Sequence, residues 1–128
     1  VLEGTAFHLR RLLAARGPES EGGGPAGGVA CGGAARSAIW MQLLADVTGL
    51  SLRVPVVVEA GALGAAILGG VAAGLLSIDR APSRMVRFAG TYAPRPEVAD
   101  EYDRLYARFC QLDDLLAPWF REANLNGE

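Results

Sequence analysis

Val29 to Asp46, V-A-C-G-G-A-A-R-S-A-I-W-M-Q-L-L-A-D, constrains this chain more than any other stretch. It opens on a short apolar run, Val29-Ala30-Cys31, which the pattern predicts as a buried strand. Gly32-Gly33-Ala34-Ala35-Arg36 follows as a tight loop, and Ser37 has the residue type of a helix N-cap. Beyond it Ile39, Trp40, Leu43, Leu44 and Val47 recur as the apolar face of a helix, which Gly49 closes. Strand, paired glycines and capped helix have a chemical consequence in that order. Gly32 and Gly33 carry no side chains, so a planar ring or a sugar can approach the backbone closely. The free N–H groups and positive dipole end of a helix starting at Ser37 favour a phosphate nearby. Many αβ turns use glycines without any ligand, so on physics alone a nucleotide site and a plain turn both stay open.

The flanks fill out one architecture. Val1 to Arg16 reads as an amphipathic helix on Leu2, Ala6, Leu9 and Leu13, widened by Phe7 and Leu12 and stopped by Gly17-Pro18. Glu19 to Gly28 is a polar, glycine-rich connection. Leu52 to Val58 is rich in β-branched residues and predicts a strand, where Pro55 signals an edge or a bulge. Gly61 to Leu76 reads as a second buried helix. Ser77 to Pro96 is loop-like, with Met85-Val86-Arg87-Phe88 as a short strand. Glu97 to Leu116 is a long amphipathic helix striped by Tyr102, Leu105, Tyr106, Phe109, Leu112 and Leu116. This alternation predicts an α/β domain, and 128 residues suit one domain or a large part of one.

Several function classes fall away. Twelve basic against 14 acidic residues give a net charge of −2, which speaks against a strongly basic nucleic-acid binder or a polybasic membrane anchor. Every basic residue is Arg. Without Lys there is no P-loop NTPase and no Schiff-base mechanism. One histidine, His8, rules out multi-histidine metal sites and reads as an ordinary surface group. Cys31 and Cys110 lack C-x-x-C spacing, so a reduced, cytoplasmic protein fits best. Gly22 to Gly27 matches G-x-G-x-x-G on paper, but Pro25 interrupts it and the strand comes after it rather than before. The uncharged run Ala60 to Ile78 is long enough for a bilayer, but Ala and Gly dominate it and a buried helix is the better reading. Asp113-Asp114, Glu101 and Asp103 read as solvated helix charges. Val1 follows no initiator Met or signal-peptide pattern, and the chain opens as if within a helix, which suggests a fragment.

The central stretch also resembles the FGGY carbohydrate kinases. Gly32-Gly33-Ala34-Ala35-Arg36-Ser37, Trp40, Gln42, Ala45-Asp46 and Gly49-Leu50 are similar to that family's G-G-A-x-S-x-x-W-x-Q-x-x-A-D-x-x-G-L block. Glu59 and Ala62-Leu63-Gly64-Ala65-Ala66 resemble its E-x-x-A-L-G-A-A helix, and Val1 to Phe7 resembles the tail of R-A-x-L-E-G-x-A-F. The resemblance implies an α/β fold of the actin-like ATPase (ribonuclease H-like) type. Residues 1–128 would be the later part of its C-terminal, nucleotide-binding domain, incomplete and without the N-terminal sugar-binding domain. It implies transfer of the γ-phosphate of ATP to a hydroxyl of a sugar or polyol, with Mg²⁺ held mainly outside this chain. Gly32, Gly33 and Ala34 would lie against adenine and ribose, and Ser37 would contact the base. Relatives often carry Asn at this last position, and Ser37 has a shorter reach. No catalytic residue is assigned to this chain, which alone would be inactive. Nucleic acid and membrane are not among the expected partners, and a homodimer is compatible with the resemblance. The alternative is a stand-alone nucleotide-binding or structural module without catalysis.

Overall fold

Residues 2–15 and 27–125 are described by a computed structural model. Among them the chain runs α1 (Leu2–Ala14), β1 (Gly27–Val29), a 3₁₀ turn (Gly33–Arg36), α2 (Ala38–Thr48), β2 (Ser51–Pro55), α3 (Ala60–Ala72), α4 (Ala81–Met85), β3 (Phe88–Tyr92) and α5 (Pro96–Leu125). β1 and β2 pair in parallel, Gly28 opposite Leu52, with α2 as the crossover between them. β3 adds antiparallel on the far side of β2, Leu52 opposite Tyr92, giving the order β1-β2-β3. The predicted α/β class holds.

Local chemistry explains where the elements fall. Ser37 accepts a hydrogen bond from the Trp40 N–H at 3.3 Å, and Gly49 closes α2 at φ 70°, both as read from the sequence. β1 lies two residues earlier than predicted. Gly27 and Gly28 read as loop residues, yet a Cβ at Gly28 would touch Leu52 Cδ2 at 3.4 Å, so the strands pack closely here. Val29 and Cys31 are exposed, which corrects the expectation of a buried strand. β2 is the central strand rather than an edge. Pro55 marks a bulge instead, where the pairing with β3 slips between Val54 and Pro55.

The core gathers Ala6, Phe7, Ala35, Met41, Leu44, Val47 and Val54, with Trp40, Leu43, Tyr102, Leu105, Tyr106 and Phe109 packed on it. The inner face of α2 runs through Met41, Leu44, Ala45 and Val47, and Ile39 is 79% exposed rather than part of it. The Phe7 ring lies 5.7 to 6.3 Å from those of Phe109, Tyr106 and Tyr102, so α1 and the first half of α5 share one aromatic seam. Asp103, Asp113 and Asp114 are not merely solvated. Arg10 reaches Asp103 at 2.6 Å, and Arg11 reaches Asp113 and Asp114 at 3.1 and 2.5 Å. These pairs are partly exposed and add little stability.

Two further expectations are corrected. α3 was expected to be buried, yet none of its residues is. Its 13 residues span about 20 Å, short of a hydrocarbon core of about 30 Å, and no described helix is long and apolar enough to cross a membrane. The third strand is Phe88–Tyr92 rather than Met85–Phe88, because α4, opened by Pro82 in its first turn, takes the preceding residues. Residues 16–26, including most of the Gly22–Gly27 motif, lie outside the described residues.

Candidate nucleotide site

In parallel α/β units, ligands collect outside the carboxyl ends of the strands. Two loops meet there. The Gly32 N–H donates to the Val58 carbonyl at 2.7 Å, which fastens the turn after β1 to the segment after β2. Arg36 donates to the Glu59 carboxylate at 3.1 Å across the same junction, an exposed pair of modest worth. Between these ties the backbone rises through a 3₁₀ turn, with Ala35 N–H on the Gly32 carbonyl and Ser37 N–H on that of Ala34.

The two glycines do different work. Gly32 sits at φ 83°, ψ −179°, a conformation essentially restricted to glycine. Gly33 has no left-handed φ, and a Cβ on it would meet nothing within 4 Å. Gly33 and Ala34 are exposed and Ala35 is buried beneath them, so the turn presents bare backbone outward on a packed support. Ser37 is exposed at the start of α2 with its Oγ engaged as a cap. Its hydroxyl hydrogen remains free to donate, since a hydroxyl can accept and donate at once. The structure thus brings Gly32, Gly33, Ala34 and Ser37 onto one turn.

Apolar hollows flank the turn. One of about 310 Å³ is lined by Ala34, Trp40, Met41, Leu9 and Leu13 among others. A second of about 210 Å³ lies between Val29, Pro55, Val57, Ala60 and Gly64, where the start of α3 approaches the sheet. Cys31 borders both. The site therefore offers a bare backbone ridge, flat apolar walls and a helix N-terminus, which suit the ring, sugar and phosphate of a nucleotide in turn. The same residues do not suit a metal. Among the described residues no group of three or more His, Cys, Asp or Glu could hold an ion.

One group was missed as a structural centre. The Asp46 side chain is wholly buried. It accepts from Gln42 Nε2 at 2.9 Å, Arg95 N at 2.9 Å, Arg95 Nε at 3.1 Å and Arg95 Nη2 at 2.8 Å. Gln42 also donates to the Ala93 carbonyl at 2.8 Å, so α2 is tied to the β3–α5 junction by two side chains one turn apart. Burial pushes the Asp46 carboxyl up, but the Arg95 and Gln42 hydrogen bonds outweigh it and hold the pKa below the ordinary carboxylate value. The available signal was two polar residues at i and i+4 on an otherwise apolar helix, with an Arg between two prolines downstream.

Comparison with known proteins identifies the family. Residues 1–73 match the FGGY family of carbohydrate kinases, C-terminal domain. The autoinducer-2 kinase of Yersinia pestis (strain Pestoides F) is 49% identical over 70 residues, 54% of this chain and 13% of that protein. A xylulose kinase from Rhodospirillum rubrum superposes with a TM-score of 0.71 at 30% identity, over 94% of this chain and 24% of its own. A xylulose kinase from Lactobacillus acidophilus superposes with a TM-score of 0.79 at 24% identity, over 91% and 24%, and shares the actin-like fold. The chain thus spans only a small part of the relatives it matches. The family match spans α1 through α3, including the Gly32–Ser37 turn, and the chain belongs to the FGGY family of carbohydrate kinases, within that family's C-terminal domain.

Proposed function

We propose that this chain forms the adenosine-side wall of an ATP-dependent carbohydrate kinase, an enzyme that moves the γ-phosphate of ATP to a hydroxyl of a sugar or polyol. The observation that carries this reading is the Gly32–Ser37 turn: glycine-specific at Gly32, open at Gly33, and set at the carboxyl ends of two parallel strands before a capped helix. ATP, when bound, supplies the phosphoryl group and its leaving ADP. Gly32 and Gly33 let the base and ribose rest on backbone, Ala34 borders the apolar wall, and the Ser37 hydroxyl donates to a ring acceptor. The α2 N-terminus favours the negative charge that accompanies the nucleotide.

Mg²⁺ and the base that deprotonates the acceptor hydroxyl belong to the remainder of the enzyme, as does the sugar or polyol itself. Residues 1–128 are then the later part of the C-terminal domain. The reaction runs in the cytoplasm, with neither nucleic acid nor membrane as partner.

The test is Gly33→Val in the complete kinase. The added side chain enters open space rather than the protein, so the fold is retained. It occupies the surface on which the nucleotide would rest, and KM for ATP should rise several-fold more than KM for the sugar. Equal losses for both substrates would remove the turn from the nucleotide site.

A further inference from the structure

Arg36 and Glu59 stand 23 positions apart and meet where the two loops of the candidate site join. Arg36 ends the 3₁₀ turn, one residue before the Ser37 cap, and Glu59 immediately precedes α3. Arg36 Nη2 lies 3.1 Å from Glu59 Oε1, and both side chains are largely exposed. Glu59 occupies the N-cap position of α3, yet its side chain makes no capping hydrogen bond there and turns to the other loop instead. Each loop has one inward anchor. Ala35 is buried beneath the turn, and Val58 packs partly on the core. Beyond Val58 that anchoring stops, because among the described residues no side chain on α3 is buried.

The outer shoulders of the loops are therefore joined by the Gly32 N–H on the Val58 carbonyl and by the Arg36–Glu59 pair. A single hydrogen bond leaves a pivot, and a second tie four residues along the turn removes the rotation about it. Such an exposed pair adds little to global stability. Its effect on a ligand is a separate matter. A ligand that needs both loops in one arrangement binds more weakly by the fraction of molecules in which they are out of place. An exposed ion pair can shift that fraction by roughly two- to fivefold. We propose that Arg36 and Glu59 are positioning residues, an ionic clasp that holds the Gly32–Ser37 turn in register with the start of α3 and so sets the surface for adenosine. The proposal rests on the nucleotide reading of that turn. Its rival gives Arg36 to the phosphates of ATP, where Glu59 would compete for the guanidinium and its removal would improve ATP binding.

A double-mutant cycle in the complete kinase tests the clasp, read as KM for ATP against KM for the sugar. Arg36→Gln and Glu59→Gln should each raise KM for ATP by roughly two- to fivefold, and by more than KM for the sugar. The double variant should be no worse than either single one, since each already opens the clasp. Arg36→Lys should stay close to wild type, because Arg36 meets Glu59 through one nitrogen rather than as a fork. Urea midpoints of these variants should match the wild type, as befits an exposed pair. Additive losses, or a KM for ATP that is unchanged or lower in Glu59→Gln, would overturn the clasp, and a lower value would favour the rival. Equal losses for ATP and sugar, or a lowered urea midpoint, would also overturn it, because the pair would then be holding the fold. Gly33→Val separates the clasp from the reading beneath it. If that variant raises KM for ATP while the cycle is additive, the clasp alone fails. If it spares ATP, site and clasp fall together.

Discussion

At the scale of single residues, Gly32 and Gly33 look alike in sequence and differ in the fold. Gly32 needs its glycine for a backbone reason, since φ 83° with ψ near 180° is closed to other residues while the space beside it is open. Gly32→Ala should therefore cost about 1–3 kcal/mol of stability, read as a lower urea midpoint. Gly33→Ala should stay within about 0.5 kcal/mol of wild type, as a surface change free of strain. Asp46 is a second residue whose weight comes from its surroundings. Asp46→Asn keeps the shape but loses the charge that Arg95 answers. Arg95→Met leaves a buried carboxylate with fewer donors and should be the more destabilising of the two, because Arg95 itself is half exposed and can rehydrate when Asp46 is changed. The folded Asp46 pKa lies below its unfolded value, so the folded state holds fewer protons there. Its contribution is fully present above about pH 4 and declines as pH falls from there through the folded pKa. Asp46→Asn should flatten that acid limb in urea melts taken between neutral pH and about pH 3.

At the scale of elements, what could be read from the sequence followed from local chemistry, and what could not depended on partners distant in the chain. The Ser37 cap, the Gly49 stop and the aromatic stripe of α5 each announce themselves within a few residues. β1 does not, because Gly27-Gly28 has loop composition and becomes strand only through pairing with Ser51 and Leu52. The third strand was misplaced because Met85-Val86-Arg87-Phe88 has the stronger strand composition, whereas Phe88–Tyr92 contains a glycine and is selected by its register on β2. Asp46 and Arg95 stand 49 positions apart, beyond the reach of any periodicity. The turn that carries Gly32, Gly33, Ala34 and Ser37 was legible as a turn because it is a local object. Phe7 tests the α1–α5 seam at this scale. It is 6% exposed and touches three rings, so Phe7→Ala should cost about 3–5 kcal/mol, whereas Leu68→Ala on α3 should be nearly neutral in the same denaturation series.

For the molecule as a whole, the proposed reading makes this chain one side of a reaction centre, and among the described residues no acidic or imidazole group near the Gly32–Ser37 turn is free to act as a base. A base for a sugar hydroxyl must reach the hydroxyl while that hydroxyl faces the γ-phosphate, at hydrogen-bond distance and with a lone pair free. Asp46 fails on availability, since four hydrogen bonds within the protein fill its carboxylate and no part of its side chain meets solvent. Glu59 stands next to the Gly32–Ser37 turn, but it is held by Arg36 across the loop junction. His8 is exposed on α1, the helix whose Leu9 and Leu13 help line the apolar hollow beside the turn, and His8 itself does not line that hollow. Positioning nucleotide, metal and acceptor together is most of what phosphoryl transfer requires, and a single wall cannot do it. The 128-residue chain, purified alone and supplied with ATP and Mg²⁺, should therefore release no ADP in response to any pentose, hexose or polyol. A sugar-dependent turnover that survives repurification would mean that a base within these residues has been overlooked, and the exposed His8 and Glu59 would be the first side chains to replace.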